Sequence, residues 1–313
     1  MNQKWKVLVT RYFPGDAIER LKEKCDVQCN RQVPPMEKDV LKRQVKDVDI
    51  LITVEDPIDS EIIDSAPRLK AIADLWGGGR NIDQDACKKR NIKIITSPIT
   101  KKWLNHSETE HAMLLLLAVT RRLLEADAFV RDGKFKELEQ ANRDMLGTGL
   151  NGKTLGIIGG AFWSGDEMVK RAAAFNMKVQ YWDRSRSELM ESLGAGYEEF
   201  DHVLKTSDFI ILMANGSQGY LLDAPQFDKM KRGVYLVNVT KGTFINEKEL
   251  VKALKDGRVA GAGLDKLENE PFPVSGLTDL KNVVLTPHSD GALLEERNIV
   301  YESVVSQCLE IIG

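Results

Sequence analysis

Of the four histidines in the chain, His288 stands where proton chemistry is most accessible, directly after Leu285-Thr286-Pro287 at the end of an apolar run with the character of a β-strand. Imidazole exchanges protons near neutrality because its unperturbed pKa is about 6.5. Glu270, in Glu268-Asn269-Glu270-Pro271, offers a carboxylate that can accept a hydrogen bond from such a ring and fix its orientation. Lys241, in Val239-Thr240-Lys241-Gly242, offers a cation. Together these three meet the needs of interconverting a secondary alcohol and a ketone: a proton shuttle, its orienting partner, and a charge that holds a carboxylate or polarises a carbonyl beside a nicotinamide. Each also has a plainer reading. His288 can be a cap or surface residue before a C-terminal helix, Glu270 a solvated loop charge, and Lys241 one surface lysine among many.

A nicotinamide needs a dinucleotide fold, and one stretch has its layout. A strand over 154–158, the glycines Gly159, Gly160 and Gly165, a helix through Met168, Ala172 and Phe175, and a second strand ending in Asp183 outline a βαβ unit. Such a unit places phosphates at a helix N-terminus and a carboxylate about 20 residues further on against the ribose hydroxyls. Asp183 favours NAD over NADP, whose 2′-phosphate it would repel, while Arg184 and Arg186 keep NADP open. The fingerprint is imperfect, because Phe162 occupies the second glycine position of Gly160-Ala161-Phe162-Trp163-Ser164-Gly165. The glycines can equally serve strand–helix packing, and Asp183 can cap a following helix.

Those elements belong to a longer series. Apolar strand-like runs at 154–158, 178–182, 208–213, 233–238, 259–264 and 282–286 are separated by helix-length segments, as in a parallel sheet covered on both faces. In open sheets of this kind ligands lie beyond the carboxyl ends of the strands. The residues at those ends are Gly159-Gly160, Asp183, Ala214-Asn215-Gly216, Thr240-Lys241-Gly242, Asp265 and Pro287-His288. The first hundred residues alternate runs at 6–10, 48–54, 70–74 and 92–96 with helix-compatible segments at 16–25 and 38–45, a second parallel α/β unit. Between the two, Ser107-Glu108-Thr109-Glu110 has the form of a capping box and is expected to open a long helix running through Leu114, Leu117 and Leu123 to Asp132-Gly133.

Bulk composition narrows the partners. The 313 residues suit two α/β domains, and 42% hydrophobic with 29% charged residues is ordinary for a globular chain. A net charge of −3 provides no basic field for nucleic acid or an anionic membrane, so a small molecule is the expected partner. No apolar run approaches the ~20 residues of a membrane span, and the start of the chain moves straight into a strand, which together suggest a cytoplasmic protein. Four cysteines without zinc-finger spacing read as free thiols, and no metal site is expected.

Three segments in combination resemble the D-isomer-specific 2-hydroxyacid dehydrogenases: residues 236–247, LVNVTKGTFINE; residues 261–271, GAGLDKLENEP; and Leu285-Thr286-Pro287-His288. The likeness extends to Gly156-Ile157-Ile158-Gly159, Gly78-Gly79-Arg80-Asn81-Ile82-Asp83 and Thr109-Glu110-His111-Ala112. The resemblance implies His288 as acid/base, Glu270 as its partner, and Lys241 where the family has an arginine that binds substrate. It implies a cofactor site including Gly160, Gly165, Asn215, Thr240, Asp183 on the ribose and Asp265 near the nicotinamide carboxamide. Trp76, Gly77 and Gly78 fall in the loop whose N–H groups hold the substrate carboxylate. The implied architecture is two doubly wound parallel-sheet domains. A Rossmann-type cofactor domain at 105–288 is inserted into a flavodoxin-like substrate domain made of 1–104 and 289–313, and two copies form a homodimer through the cofactor domain. The implied reaction passes hydride between NAD(H) and a small 2-hydroxy or 2-oxo acid.

The departures from the pattern fall at the chemistry. Lys241 keeps a charge but loses the planar fork of arginine, a difference of about 1.5–3 kcal/mol for one charge-assisted hydrogen bond. Phe162 adds a ring beside the pyrophosphate, Trp76 a bulky wall, and Arg80 replaces a usual Asp or Asn. The segment from Ala214 to Gln218 is about two residues shorter than the family's loop. These changes suit either an atypical dehydrogenase or an impaired relative acting as a binding or regulatory protein. Retention of the His288–Glu270 pair favours the enzyme.

Overall fold

The structure, a computed structural model, describes the chain apart from residues 1–3, 14–15, 32–35, 55, 77, 98–100 and 217–218 and the side chains of 101–105. It divides into two compact units, Met1–Thr100 with Ala292–Gly313, and Lys101–Gly291.

The first unit begins β1 (Trp5–Val9), α1 (Asp16–Lys24), β2 (Cys25–Cys29), α2 (Lys38–Gln44), β3 (Ile50–Thr53), α3 (Ser60–Asp64), β4 (Ala71–Asp74), α4 (Gln84–Lys89) and β5 (Lys93–Thr96). Its five strands are all parallel in the order β2-β1-β3-β4-β5. The central strands Ile-Leu-Ile-Thr and Ala-Ile-Ala-Asp are buried on both faces, which is why they read as continuous apolar runs. β2 departs from the sequence expectation, which ran the first helix to Cys25. Cys-Asp-Val-Gln-Cys alternates buried or half-buried with exposed positions, as an edge strand with one wet face does, and carries no apolar run to announce itself.

The second unit comprises α5 (Lys101–Thr120), α6 (Leu123–Arg131), α7 (Leu138–Asp144), β6 (Thr154–Gly159), α8 (Gly165–Ala174), β7 (Lys178–Trp182), α9 (Glu188–Ser192), β8 (Gly196–Tyr197), α10 (Phe200–Thr206), β9 (Phe209–Met213), α11 (Ala224–Lys229), β10 (Val234–Asn238), α12 (Glu247–Lys255), β11 (Val259–Leu264) and β12 (Val283–Leu285). Its seven strands are all parallel in the order β12-β11-β10-β9-β6-β7-β8, so the chain reverses direction across the sheet between β6 and β9. The last helix, α13 (Leu294–Ile312), belongs to the first unit, where Val300, Tyr301, Val304, Val305 and Cys308 join its core and Tyr301 stacks on Phe13 at 4.2 Å. Both units are doubly wound parallel α/β folds. Among the described residues no helix is long and apolar enough to cross a membrane.

The expected capping box is not a helix start. α5 begins at Lys101, so Ser107 to Glu110 lie inside it. The helix also ends early, at Thr120, because Arg122 takes a left-handed conformation at φ 52° and starts α6 afresh. A serine and a glutamate inside a helix must find partners elsewhere. Ser107 donates to the carbonyl of Asp290 at 2.7 Å, and Glu108 accepts from the Ser164 hydroxyl.

Two glycines in β11 explain how α5 comes so near. A Cβ on Gly261 would lie 2.7 Å from Val119 Cγ2, and one on Gly263 would lie 2.8 Å from Leu115 Cβ. The bare strand lets the helix settle on the sheet and brings its side chains over the ends of β11 and β12.

The turn after β6 is equally tight. Gly159 has φ +92°, and a Cβ there would sit 2.5 Å from Ala214 Cα. Gly159→Ala is therefore expected to destabilise the protein by at least about 2 kcal/mol, combining backbone strain with overpacking. Urea denaturation monitored by tryptophan fluorescence should show the midpoint falling; an unchanged midpoint would contradict the close approach.

Candidate active site

His288 is set by its backbone before its ring does anything. Its φ is 53°, in the left-handed region that non-glycine residues seldom occupy. Asp265, at the end of β11, holds it there. The His288 N–H donates to the Asp265 carbonyl at 2.9 Å, and the N–H groups of Ser289 and Asp290 donate to the Asp265 carboxylate at 2.8 and 3.1 Å. The Thr286 hydroxyl donates to the same carboxylate at 2.6 Å. From the facing helix α5, His111 Nε2 lies 3.0 Å from Asp265 Oδ1 and 2.9 Å from Thr286 Oγ1. Burial pushes the Asp265 carboxyl up, but the donors from His111, Thr286, Ser289 and Asp290 outweigh it and hold the group well below the usual carboxylate range.

The ring of His288 meets Glu270, with Nδ1 2.9 Å from Oε2. A carboxylate on Nδ1 fixes that nitrogen as the donor and leaves Nε2 to exchange a proton. Glu270 is itself placed by the Leu267 N–H, which donates to its Oε1 at 3.1 Å. The loop around it is clamped to α12. The Glu247 N–H donates to Glu268 Oε2 at 3.1 Å, and the Glu268 N–H returns to Glu247 Oε1 at 2.8 Å. Glu247 is buried, which pushes its carboxyl up, and a Cβ on Gly242 would sit 1.9 Å from the Leu267 carbonyl, so the loop rests on a bare backbone.

Lys241 is exposed and donates to the Gly216 carbonyl at 2.5 Å, tying the strand-end loop after β10 to the one after β9. Thr240 is buried, its hydroxyl and N–H both donating to Asn238 Oδ1 at 3.1 and 3.0 Å. Asn215 is exposed, and its carbonyl accepts from Arg184 at 3.2 Å.

The βα turn fits a dinucleotide. Gly160 and Gly165 pack so closely that a Cβ on Gly165 would lie 2.7 Å from the Gly160 carbonyl, which brings the start of α8 up to the strand end. Asp183 is buried at the end of β7 and accepts from the Ala161 N–H at 2.9 Å and the Arg184 N–H at 2.6 Å. It does not cap the next helix, a role taken by Ser187. Gly159, Trp182, Asp183, Arg184, Asn215 and Leu221 line a hollow of about 30 Å³ at the point where the sheet reverses, the position such ligands take. Phe162 is 59% exposed, so its ring turns outward instead of filling the turn. Among the described residues no cluster of His, Cys, Asp or Glu is arranged to hold a metal ion.

In the first unit, the loop after β4 carries Trp76 and Gly78, while Gly77 lies outside the described residues. Asp74, fully buried, accepts from the Gly79 N–H at 2.8 Å, and the Trp76 ring lies 5.6 Å from the Arg297 guanidinium. His111, Glu108, Ser164 and Glu247 are among the polar residues of the second unit that sequence reasoning did not single out for chemistry. His111 and Glu108 sit three apart on one helix, a face that is legible only once the helix is known to start before them.

The chain is similar to known proteins over nearly its whole length. The profile of the D-isomer specific 2-hydroxyacid dehydrogenase NAD binding domain matches residues 113–289. The chain is 38% identical over 311 residues to a glyoxylate reductase of Thermococcus litoralis, covering 97% of this chain and 92% of that protein. Among solved structures, the TT0316 protein from Thermus thermophilus superposes with a TM-score of 0.84 at 34% identity, over 98% of this chain and 96% of that one. A glyoxylate reductase from Paecilomyes thermophila gives 0.74 at 30%, over 99% and 96%. The chain belongs to the D-isomer-specific 2-hydroxyacid dehydrogenase family. It is an oxidoreductase that uses NAD(H) or NADP(H) on a small 2-hydroxy or 2-oxo acid.

Removing the Asp265 charge should loosen the whole strand end. Asp265→Asn is expected to lose about 2–3 kcal/mol of stability at pH 7, because donors aimed at a carboxylate lose part of their acceptor. The folded carboxyl titrates below its ordinary value of 3.8, so its contribution is complete above about pH 5 and is lost as pH falls through 3.8 and lower. Denaturation curves of the two proteins should differ by a constant margin from pH 8 to pH 5 and converge below; a margin that grows towards low pH would contradict the assignment.

Proposed function

We propose that this protein reduces the smallest 2-oxo acids, with glyoxylate the first to test, using NADH, and that His288 is its acid/base. The observation that carries this reading is the His288–Glu270 pair at 2.9 Å on a turn fixed by Asp265. A bound nicotinamide supplies the hydride that adds to C2. His288 donates the Nε2 proton to the carbonyl oxygen as it becomes a hydroxyl, and Glu270 stabilises the ring's cationic form. Lys241 would leave the Gly216 carbonyl to hold the substrate's carboxylate or carbonyl, and the family resemblance assigns the carboxylate to the loop of Trp76, Gly77 and Gly78, of which Gly77 lies outside the described residues. When the dinucleotide is bound, Gly160 and Gly165 would admit its pyrophosphate, Asp183 would accept its ribose hydroxyls, Asn215 and Thr240 would line it, and Asp265 would stand near its carboxamide. The glyoxylate reductases among its relatives support a short substrate.

NAD is the preferred carrier on this reading. Asp183 would repel a 2′-phosphate, Arg186 is paired with Glu191 at 2.6 Å, and Arg184 is engaged by Asn215. The substrate domain expected at 1–104 and 289–313 is on this reading the unit Met1–Thr100 with Ala292–Gly313, and the cofactor domain expected at 105–288 is the unit Lys101–Gly291. Exposed Leu114, Leu123, Leu124, Val130, Phe135, Leu138 and Leu146 all fall in one stretch of the cofactor domain, which supports a homodimer formed through it. The four free cysteines support a cytoplasmic location.

With glyoxylate and NADH, His288→Ala is expected to lower kcat by about 10²–10⁴-fold while NADH binding, read by fluorescence titration, is retained. Turnover unaffected by that change would overturn the role of His288. Lys241→Arg is expected to raise kcat/KM by about 10-fold or more, since a planar fork gains one charge-assisted hydrogen bond. Unchanged kinetics would show that one ammonium suffices. Light scattering should report about 70 kDa, twice the 35.1 kDa chain.

A further inference from the structure

Beneath the phosphate turn lies a carboxyl that the reaction does not use. Glu108 is buried inside α5 and its Oε2 accepts from the hydroxyl of Ser164, which is fully buried. Ser164 is the residue before α8, where a serine ordinarily accepts from the helix's own N–H groups. Its side chain makes no such bond, being committed to Glu108. The start of α8 therefore lacks its own cap, and a buried acid stands directly behind it.

We propose that Glu108 is a proton-linked positioning residue for the dinucleotide, neutral while the pyrophosphate is bound and free to ionise when it leaves. The inference rests on the reading that the pyrophosphate occupies the turn between Gly160 and Gly165. Two anions in a poorly hydrated place oppose one another, and a carboxyl can escape the conflict by taking a proton. Burial already pushes Glu108 up to about 7, against the Ser164 hydrogen bond and the charge of Lys266, which lower it, and with Asp290, which raises it. Lys266 gives incomplete relief because it is paired with Asp290 at 2.8 Å. On α8 itself, Asp166 and Glu167 face Lys170, and Glu167 also faces Arg171. His106 on α5 lies 3.5 Å from Glu167 and 3.2 Å from Arg171, and is the neighbouring group whose titration must be told apart.

If binding favours the protonated form, binding near neutrality takes up a proton, and affinity is highest below pH 7 and falls as pH rises through it. A bound-state rise of about one pKa unit corresponds to about tenfold in affinity.

Titration calorimetry of NADH into the whole protein, in two buffers of different ionisation enthalpy, reads the proton directly. Wild type is expected to take up about half a proton at pH 7 and to bind about tenfold more weakly at pH 8.5 than at pH 6. Glu108→Gln should abolish the uptake and bind at pH 8.5 as tightly as wild type at pH 6, while His106→Gln should leave the uptake in place. Ser164→Ala, which removes a bond favouring the ionised form, should shift the midpoint of the affinity profile upward, and it keeps the inference testable if Glu108→Gln does not fold. No uptake by wild type, uptake that survives Glu108→Gln or vanishes in His106→Gln, or an unmoved midpoint in Ser164→Ala would overturn the proposal. Absence of NADH binding at any pH would instead overturn the cofactor assignment on which it rests.

Discussion

One buried carboxylate organises the ends of β11 and β12 in the second unit. A charge without partners in a protein interior is too unfavourable to persist, so an ionised Asp265 demands donors and determines where they stand. It gathers them from three places: the Thr286 hydroxyl at the end of β12, the Ser289 and Asp290 N–H groups beyond it, and His111 on α5. Between Thr286 and Ser289 the chain has little choice, and His288 is held in a backbone conformation it would not adopt alone. These hydrogen bonds fix the backbone of His288, and the Glu270 carboxylate completes the orientation of its ring, the preorganisation that the proposed proton transfer would need.

The hub works because a helix is allowed close. The glycines of β11 admit α5 onto the sheet, and the same approach that brings His111 to Asp265 brings Ser107 to Asp290 and Glu108 to Ser164. Asp290 is a member of both groups: it donates to Asp265 through its N–H and pairs with Lys266 through its carboxylate. A polar seam thus runs between the glycine turn after β6 and the His288 turn after β12, buried for much of its length. Such seams are strongly destabilised when half satisfied, which gives them the power to fix one arrangement.

Much of this was legible in the chain. Buried parallel strands announce themselves as apolar runs, and the strand-end rule then picks out Asp183, Thr240, Lys241, Asp265 and His288 with no structure at hand. Glu270 was legible through the Glu268-Asn269-Glu270-Pro271 segment, whose family resemblance pairs it with the histidine. What stayed hidden depends on contact across the fold. Ser107 and Glu108 match a local capping pattern, yet their partners Asp290 and Ser164 lie far along the sequence, and tertiary hydrogen bonds replace the local ones. His111 looked like a helix residue beside an apolar stretch, since nothing in its neighbours reveals a carboxylate from β11. β2 escaped because an edge strand need bury only one face. The outward turn of Phe162 was likewise invisible, because the sequence gives the bulk of a side chain but not its direction.

Asp265 positions the imidazole ring of His288 through the backbone of its turn. Proton NMR of the ligand-free protein addresses this directly through the hydrogen-bonded Nδ1 proton of His288. A downfield resonance is expected in wild type, assigned by its loss in Glu270→Gln, and expected to be absent or broadened in Asp265→Ala although Glu270 is intact. A sharp resonance at the wild-type position in Asp265→Ala would contradict the account, because the His288–Glu270 pair would then form without the carboxylate on which its turn is said to depend.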